Sequence, residues 1–203
     1  MKITSIKQQI KNPERVSIFI DGNYEFSLSL DELIKYRLKN SDELDKADVK
    51  KFKKISADGK LRARTLEWLM NRPHSERELR DYLYKKKVEA EQIDALVREF
   101  TQKGYLDNAK FAAWFTELQA RRGKSNRAIR AELFKKGIGR ETADAALGQS
   151  ASDEEQRLRA MIEKKRKLSR YKDNPQKLAK YLTSQGFFWQ DVKRVLSVDL
   201  DEE

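Results

Sequence analysis

The stretch Lys103-Gly104-Tyr105-Leu106-Asp107-Asn108-Ala109-Lys110-Phe111-Ala112 decides how the rest of this 203-residue chain is read. Glycine tolerates the positive φ that ends a helix, two apolar residues after it can fold back on the last turn, and aspartate can cap a new helix. The stretch therefore reads as a joint between two helical units, with Gly104 as the stop and Asp107 as the start. Outward from this joint the chain repeats itself with a period near fifty residues. Leu79 and Leu83 correspond to Ile129 and Leu133, and these to Leu178 and Leu182. Five residues after each second apolar position stands Val88, Ile138 or Phe187. Ile93, Ala143 and Val192 follow at a constant spacing, and then Val97, Leu147 and Leu196. Apolar equivalence at several positions in three copies predicts tandem helical units that bury their faces against one another.

The punctuation repeats with the apolar pattern. Ser75-Glu76-Arg77-Glu78 forms a capping box for the first middle helix, Ser125 stands in its place in the second unit, and Asn174-Pro175 in the third. Gly137 and Gly186 end the second and third middle helices, whereas the first has Lys87, which predicts a different or strained cap. Each unit opens with a helix, over 61–70, 111–120 and 158–167, with Asp107 capping the second and Ser152 with Glu155 the third. The third unit carries extra residues, 167–173, before its middle helix. Ahead of the repeats, Val16, Ile18 and Ile20 alternate, Asp21-Gly22 makes a turn, and Tyr24, Phe26, Leu28 and Leu30 alternate back: a β-hairpin signal. Ile3–Ile10 is a weaker third strand, turning at Asn12-Pro13. Ser29 to Glu32 is a capping box for a helix through Leu33, Ile34 and Leu38.

The expected fold is mainly α: three tandem three-helix repeats in an elongated curved body, preceded by a small β-hairpin-containing module. The expected divisions are 1–57 for that module, 58–107, 108–150 and 151–198 for the repeats, and 199–203 for an acidic, disordered tail.

Several function classes are disfavoured. The chain has no cysteine and one histidine, His74, so disulfides and Cys/His metal sites are excluded. His74 sits beside Pro73 at a helix entry rather than in a catalytic constellation. No phosphate-cradling glycine loop is present, and Glu76 and Glu78 suit first-turn capping better than metal-dependent chemistry. A carboxylate-only magnesium site stays open. No apolar run is long enough to span a bilayer and no signal sequence opens the chain, so a cytoplasmic monomer with no cofactor is the simplest expectation.

Charge points to a polyanionic partner. Lysine and arginine total 44 against 33 acidic residues, a net charge of +11. Residues 109–150 hold 9 basic and 4 acidic side chains, so the middle unit is the hot spot. Arg121, Arg122, Lys124, Arg127, Arg130, Lys135 and Lys136 surround its middle helix and the entry loop, and a helix N-terminus favours anions. These seven are the candidate partner-binding residues, for an acidic groove or a nucleic acid. A solvated helical face is the plain alternative. The aromatics Trp68, Trp114, Phe115, Phe134, Phe187, Phe188 and Trp189 fall mostly at helical spacing and are expected in the core, with one of Phe188 and Trp189 left for a partner.

The motifs Arg72-Pro73-His74-Ser75-Glu76-Arg77-Glu78-Leu79, Gly104-Tyr105-Leu106-Asp107 with Lys110-Phe111-Ala112, and Glu132-Leu133-Phe134-Lys135-Lys136-Gly137-Ile138 resemble those of the RecX family. The resemblance covers about 60–200, with Asn108 where an aspartate is common. It implies a non-enzymatic regulator of recombination and DNA repair, within the SOS response, that binds the RecA–DNA filament and inhibits its ATPase and strand exchange. Two alternatives remain from the residues alone: a DNA-binding module of helix-turn-helix-like units touching single- or double-stranded DNA, and a helical interaction scaffold.

Overall fold

In the computed structural model, which describes residues 1–148, 154–172 and 174–201, the chain divides after Asn71 into two compact bodies. The first body is a three-stranded antiparallel sheet with two helices. Strand β1 (Ile3–Gln8) pairs with β2 (Arg15–Ile20), and β2 with β3 (Asn23–Ser29). Asp21 and Gly22 both take positive φ, 48° and 85°, the geometry that matches a two-residue hairpin turn to the right-handed strand twist. Val16, Ile18, Ile20, Phe26 and Leu28 are buried together as the alternation requires. Tyr24 departs from it and is half exposed. The pairing shifts between Ile18 and Phe19, so that Ile18 faces Phe26 while Phe19 faces Tyr24, and the residue left over turns Tyr24 outward. Helix α1 (Leu30–Tyr36) starts from the capping box of Ser29 and Glu32 and stops at Arg37 in the left-handed region, short of Leu38.

Helix α2 (Lys46–Met70) runs unbroken through the expected boundary at 57/58. Gly59 lies inside the helix, away from either end. A Cβ there would sit 2.9 Å from the Glu32 carboxylate, so the residue answers to close approach rather than to a turn. The helix that opens the first repeat is thus the end of a longer one, and it belongs to the N-terminal body.

The second body holds α3 (Glu76–Lys85), α4 (Ala90–Gln102), α5 (Asn108–Arg121), α6 (Asn126–Lys135), α7 (Arg140–Gly148), α8 (Glu154–Arg166), α9 (Ser169–Lys172), α10 (Pro175–Ser184) and α11 (Trp189–Asp201). The middle helices α3, α6 and α10 begin at positions 76, 126 and 175, which is the sequence period. Every repeat-equivalent apolar residue is buried except Val88, which is half-buried. Their spacing has a backbone cause. At the end of α6 the Ile138 amide donates to Leu133 O at 3.0 Å and the Gly137 amide to Phe134 O at 3.0 Å. The same pair of bonds closes α3 at Val88 and Lys87, and α10 at Phe187 and Gly186. This helix-ending motif sets an apolar residue against one five positions earlier. The recurring five-residue offset is the motif seen in sequence. The same closure ends α4: Gly104 takes φ 72°, Leu106 is buried, and Asp107 caps α5 through the Ala109 and Lys110 amides.

The third unit's insertion folds as α9, whose Tyr171 joins the core of Leu158, Ile162, Leu178 and Leu182. Asn174 caps α10 through the Lys177 amide, with Pro175 in the first turn. The Ser152 cap lies outside the described residues. Helix α11 continues to Asp201, so residues 199–201 extend a helix where the sequence suggested a tail.

Lys87 adopts φ 59° where Gly137 and Gly186 have 78° and 99°. Its side chain is exposed, so it carries the left-handed strain without a steric conflict. A Cβ at Gly186, by contrast, would overlap Ser125 Oγ and lie 2.6 Å from Ala128 Cβ. Lys87→Gly is therefore expected to raise the unfolding free energy by about 1 kcal/mol. Gly186→Ala should lower it by roughly 2 kcal/mol or more, since it adds a clash to the strain. Urea unfolding of the two variants checks both signs.

Candidate interaction site

The middle helices of the second body meet end to end. The C-terminal turn of α10 rests on the first turn of α6: the Ser125 amide donates to Gln185 O at 3.1 Å, and Arg127 Nε donates to Gly186 O at 3.1 Å. The C-terminal turn of α6 likewise meets α3. Lys136 Nζ lies 2.7 Å from Glu78 Oε1, and a Cβ at Gly137 would stand 2.9 Å from Arg77 Cβ. The opening helix of each following unit closes the same joint. The first amide of α3, at Glu76, donates to Asn108 Oδ1 at 2.9 Å, and that of α6, at Asn126, donates to Glu154 Oε1 at 2.9 Å. Helix N-termini carry amides with no partner in their own helix, and here the next unit supplies the acceptor. Head-to-tail placement also sets the negative end of one helix dipole against the positive end of the next.

Glu78 is the hub of the first joint. Its side chain is only 13% exposed, and it accepts from Arg72 Nη1 at 2.9 Å and from Lys136, with His74 Nδ1 at 3.1 Å. Burial pushes its pKa up, but hydrogen bonds and charge from Arg72 and Lys136 outweigh burial and hold the carboxyl below the usual glutamate value. Pro73 and His74 are helix-entry residues beside this hub, as the sequence suggested. In the third unit, Glu155 is held low by hydrogen bonds from Arg159, within α8, and from Arg194, which ties α8 to α11.

The seven candidate cations do not converge. Arg121, Arg122 and Lys124 lie where α5 ends, while Lys135 and Lys136 lie at the far end of α6, about 15 Å along the helix at 1.5 Å per residue. Several have acidic partners that sequence did not reveal. Arg130 Nε donates to Asp144 Oδ1 at 2.8 Å, bracing α6 against α7. Arg80 does the same to Asp94 at 2.6 Å in the preceding unit, so Arg130 is a repeated strut. Lys136 belongs to the joint with Glu78. Arg127 bonds Gly186 O and stacks on Phe188 at 4.5 Å. Arg121 pairs with Glu117 on its own exposed helix face. Arg122, Lys124 and Lys135 have no ion-pair partner among the described residues. The α6 N-terminus, expected to draw anions, is closed by Ser125, Glu154 and Gln185. Of the aromatics, Phe115 and Phe187 are buried as expected, while Phe134, Phe188 and Trp189 are exposed. Phe134 lies next to buried Leu133, one step round the helix and away from the core. Among the described residues no cluster of His, Asp and Glu could hold a metal ion, and no helix is long and apolar enough to cross a membrane.

This order of sheet module and stacked three-helix units is matched by known families. Residues 1–45 match the regulatory protein RecX N-terminal domain, 62–100 the first three-helix domain of RecX, and 107–147 its second. The chain belongs to the RecX family. Its relatives include the regulatory protein RecX of Listeria welshimeri, 32% identical over all of this chain and 77% of that protein. Another is that of Bacillus licheniformis, 32% identical over 96% of this chain and 76% of the relative. The match to the Listeria innocua protein, 36% identical over 75% of this chain, spans 57% of that relative's length. A crystal structure of a regulatory protein RecX superposes with a TM-score of 0.71 at 25% identity, over 97% of this chain and 98% of that one. The RecX of Lactobacillus salivarius superposes at 0.58 with 19% identity, over 72% and 97%, which shows the common fold. The RecX model for the first three-helix domain begins inside α2, as the repeat alignment does.

A carboxylate with a lowered pKa binds fewer protons folded than unfolded, so its contribution is full above the ordinary value of 4.5 and is lost as pH falls through the folded value. Glu78→Gln should lower stability at neutral pH by about 1 kcal/mol, discounted because Arg72 and Lys136 are partly solvated. The gap between parent and variant should close on acidification. Urea midpoints of both proteins from pH 7 down to pH 3 read this directly.

Proposed function

We propose that this chain is a non-enzymatic regulator that binds the RecA–DNA filament and inhibits its ATPase and strand exchange. Membership of the RecX family supports a regulatory role. The observation that carries the site is the corner Arg121-Arg122-Gly123-Lys124. Arg122 and Lys124 lack acidic partners among the described residues, whereas Arg127, Arg130 and Lys136 are bonded within the fold. The corner is held in place by its own backbone: the Gly123 amide donates to Ala120 O at 2.8 Å and the Lys124 amide to Gln119 O at 3.1 Å. Cations carried on a fixed backbone lose less freedom on meeting an acidic surface than those on a mobile loop would. Several such contacts along a polymer of identical protomers would add through avidity.

The helix-turn-helix alternative is disfavoured. In the form in which the basic middle helix enters a groove, base edges would be read by the N-terminal residues of that helix. Here the first turns of α3 and α6 are covered by the following unit.

The test is inhibition of recombinase ATP hydrolysis on single-stranded DNA, with naked-DNA binding followed in the same buffer. Arg121→Glu/Arg122→Glu should raise the inhibitory concentration at least about tenfold with an unchanged melting temperature. Arg130→Glu is unsuitable, because it breaks the α6–α7 strut. Unchanged inhibition by the double variant would remove the corner from the contact. Failure of the parent to inhibit below the concentration that coats naked DNA would remove the filament as its target.

A further inference from the structure

The end-to-end stack has two outer ends, the C-terminal turn of α3 and the first turn of α10, and at both the residues depart from those of the inner joints. The α3 turn, Leu83-Tyr84-Lys85-Lys86-Lys87-Val88, repeats the chemical types of the α6 turn, Leu133-Phe134-Lys135-Lys136-Gly137-Ile138, except that lysine replaces glycine. Both turns close with the same pair of backbone bonds, so the α3 turn has the backbone shape that docks. Docking needs the glycine. A Cβ at Gly137 would stand 2.9 Å from Arg77 Cβ on the helix it meets, and one at Gly186 would lie 2.6 Å from Ala128 Cβ. Lys87 puts both a Cβ and a cation at that point, and its side chain is exposed.

The first turn of α10 departs in two further ways. At the inner joints the first amide of the helix, at Glu76 or Asn126, donates to a side chain of the next unit, and the serine before it, Ser75 or Ser125, is fully buried. Helix α10 begins with Pro175, which has no amide to donate, and Asn174 before it is exposed. The third position of α3 is Glu78, which meets Lys136 at 2.7 Å, whereas the third position of α10 is Lys177. A second copy offering its α3 turn to α10 would bring Lys86, the equivalent of Lys136, against Lys177, and like charges repel there. Tandem repeats with complementary ends add head to tail without limit, because such a contact is heterologous and does not close. We infer that Lys87, Pro175 and Lys177 are the stops that end the stack at three units and keep a second copy of this chain from adding to either end. The inference does not rest on the recombinase reading.

The test removes the stops from the full chain. Lys87→Gly/Pro175→Glu/Lys177→Glu gives α3 the glycine of the α6 turn and gives the first turn of α10 the acidic residues of α3. All three side chains are exposed, and carboxylates in a first turn suit the helix dipole, so the melting temperature should not fall. In sedimentation equilibrium up to about 100 μM, the parent should keep the mass of one chain, while the average mass of the triple variant should rise at least about twofold. Adding Lys86→Glu, which sets carboxylate against carboxylate, should return the mass to that of one chain. The inference is overturned if the triple variant stays a monomer, if the parent already associates, or if the association survives Lys86→Glu. The converse variant, Gly137→Lys, places a stop in an inner joint. It should release the Glu76 amide to fast hydrogen exchange while the interiors of α3 and α6 stay protected. A Glu76 amide as slow as the parent's would equally overturn the inference, and this reading decides if the triple variant fails to fold.

Discussion

Helices α6 and α10 each end in a left-handed turn that sits on the first turn of the middle helix before it. This joint answers two demands of backbone chemistry at one place. A helix must end with its last carbonyls bonded, and another must begin with its first amides bonded. Gly186 serves the first demand for α10, and with Gln185 O and the Glu154 carboxylate the third unit serves the second for α6. At the neighbouring joint Asn108, Lys136 and Glu78 do the same with different chemistry. Three helices of about ten residues bury little alone, so the stack stands only because each unit completes its neighbour.

The joints also decide which cations are left for a partner. Lys136 and Arg127 are drawn into them, and Arg130 into the strut with Asp144, so a cluster that looks continuous in sequence becomes two separate groups. What remains at the α5–α6 corner is smaller but better defined, because its backbone is fixed by bonds to Gln119 and Ala120. The same logic exposes Tyr84 and Phe134. They sit on the outward side of turns whose inward side, Leu83 and Leu133, is filled.

Much of the fold was legible because its causes are local. The Asp21-Gly22 turn, the caps at Ser75, Asp107, Ser125 and Asn174, and the leucine-to-apolar offset of five residues all act within a few positions of chain. Lys87 announced its strained cap for the same reason. What could not be read was pairing at a distance. Glu78 and Lys136 are 58 residues apart and Arg130 and Asp144 are 14 apart, so acidic partners seemed missing where the fold brings them in. Gly59 belongs with these: the Glu32 carboxylate packed against its α-carbon comes from a distant part of the chain. The seven site residues were therefore chosen by density of charge, which is a poor guide once struts and joints have taken their share.

Hydrogen exchange at the first amides of the middle helices tests the end-to-end stack most directly. An amide in the first turn of a solitary helix has no acceptor and exchanges at nearly the rate of an unfolded chain. Here the Glu76, Ser125 and Asn126 amides donate to Asn108, Gln185 and Glu154. They should be slowed to nearly the extent of the buried leucine amides within α3 and α6. Free exchange at all three, with the helix interiors still protected, would mean that the units fold without docking, and the joints would not hold the corner in place.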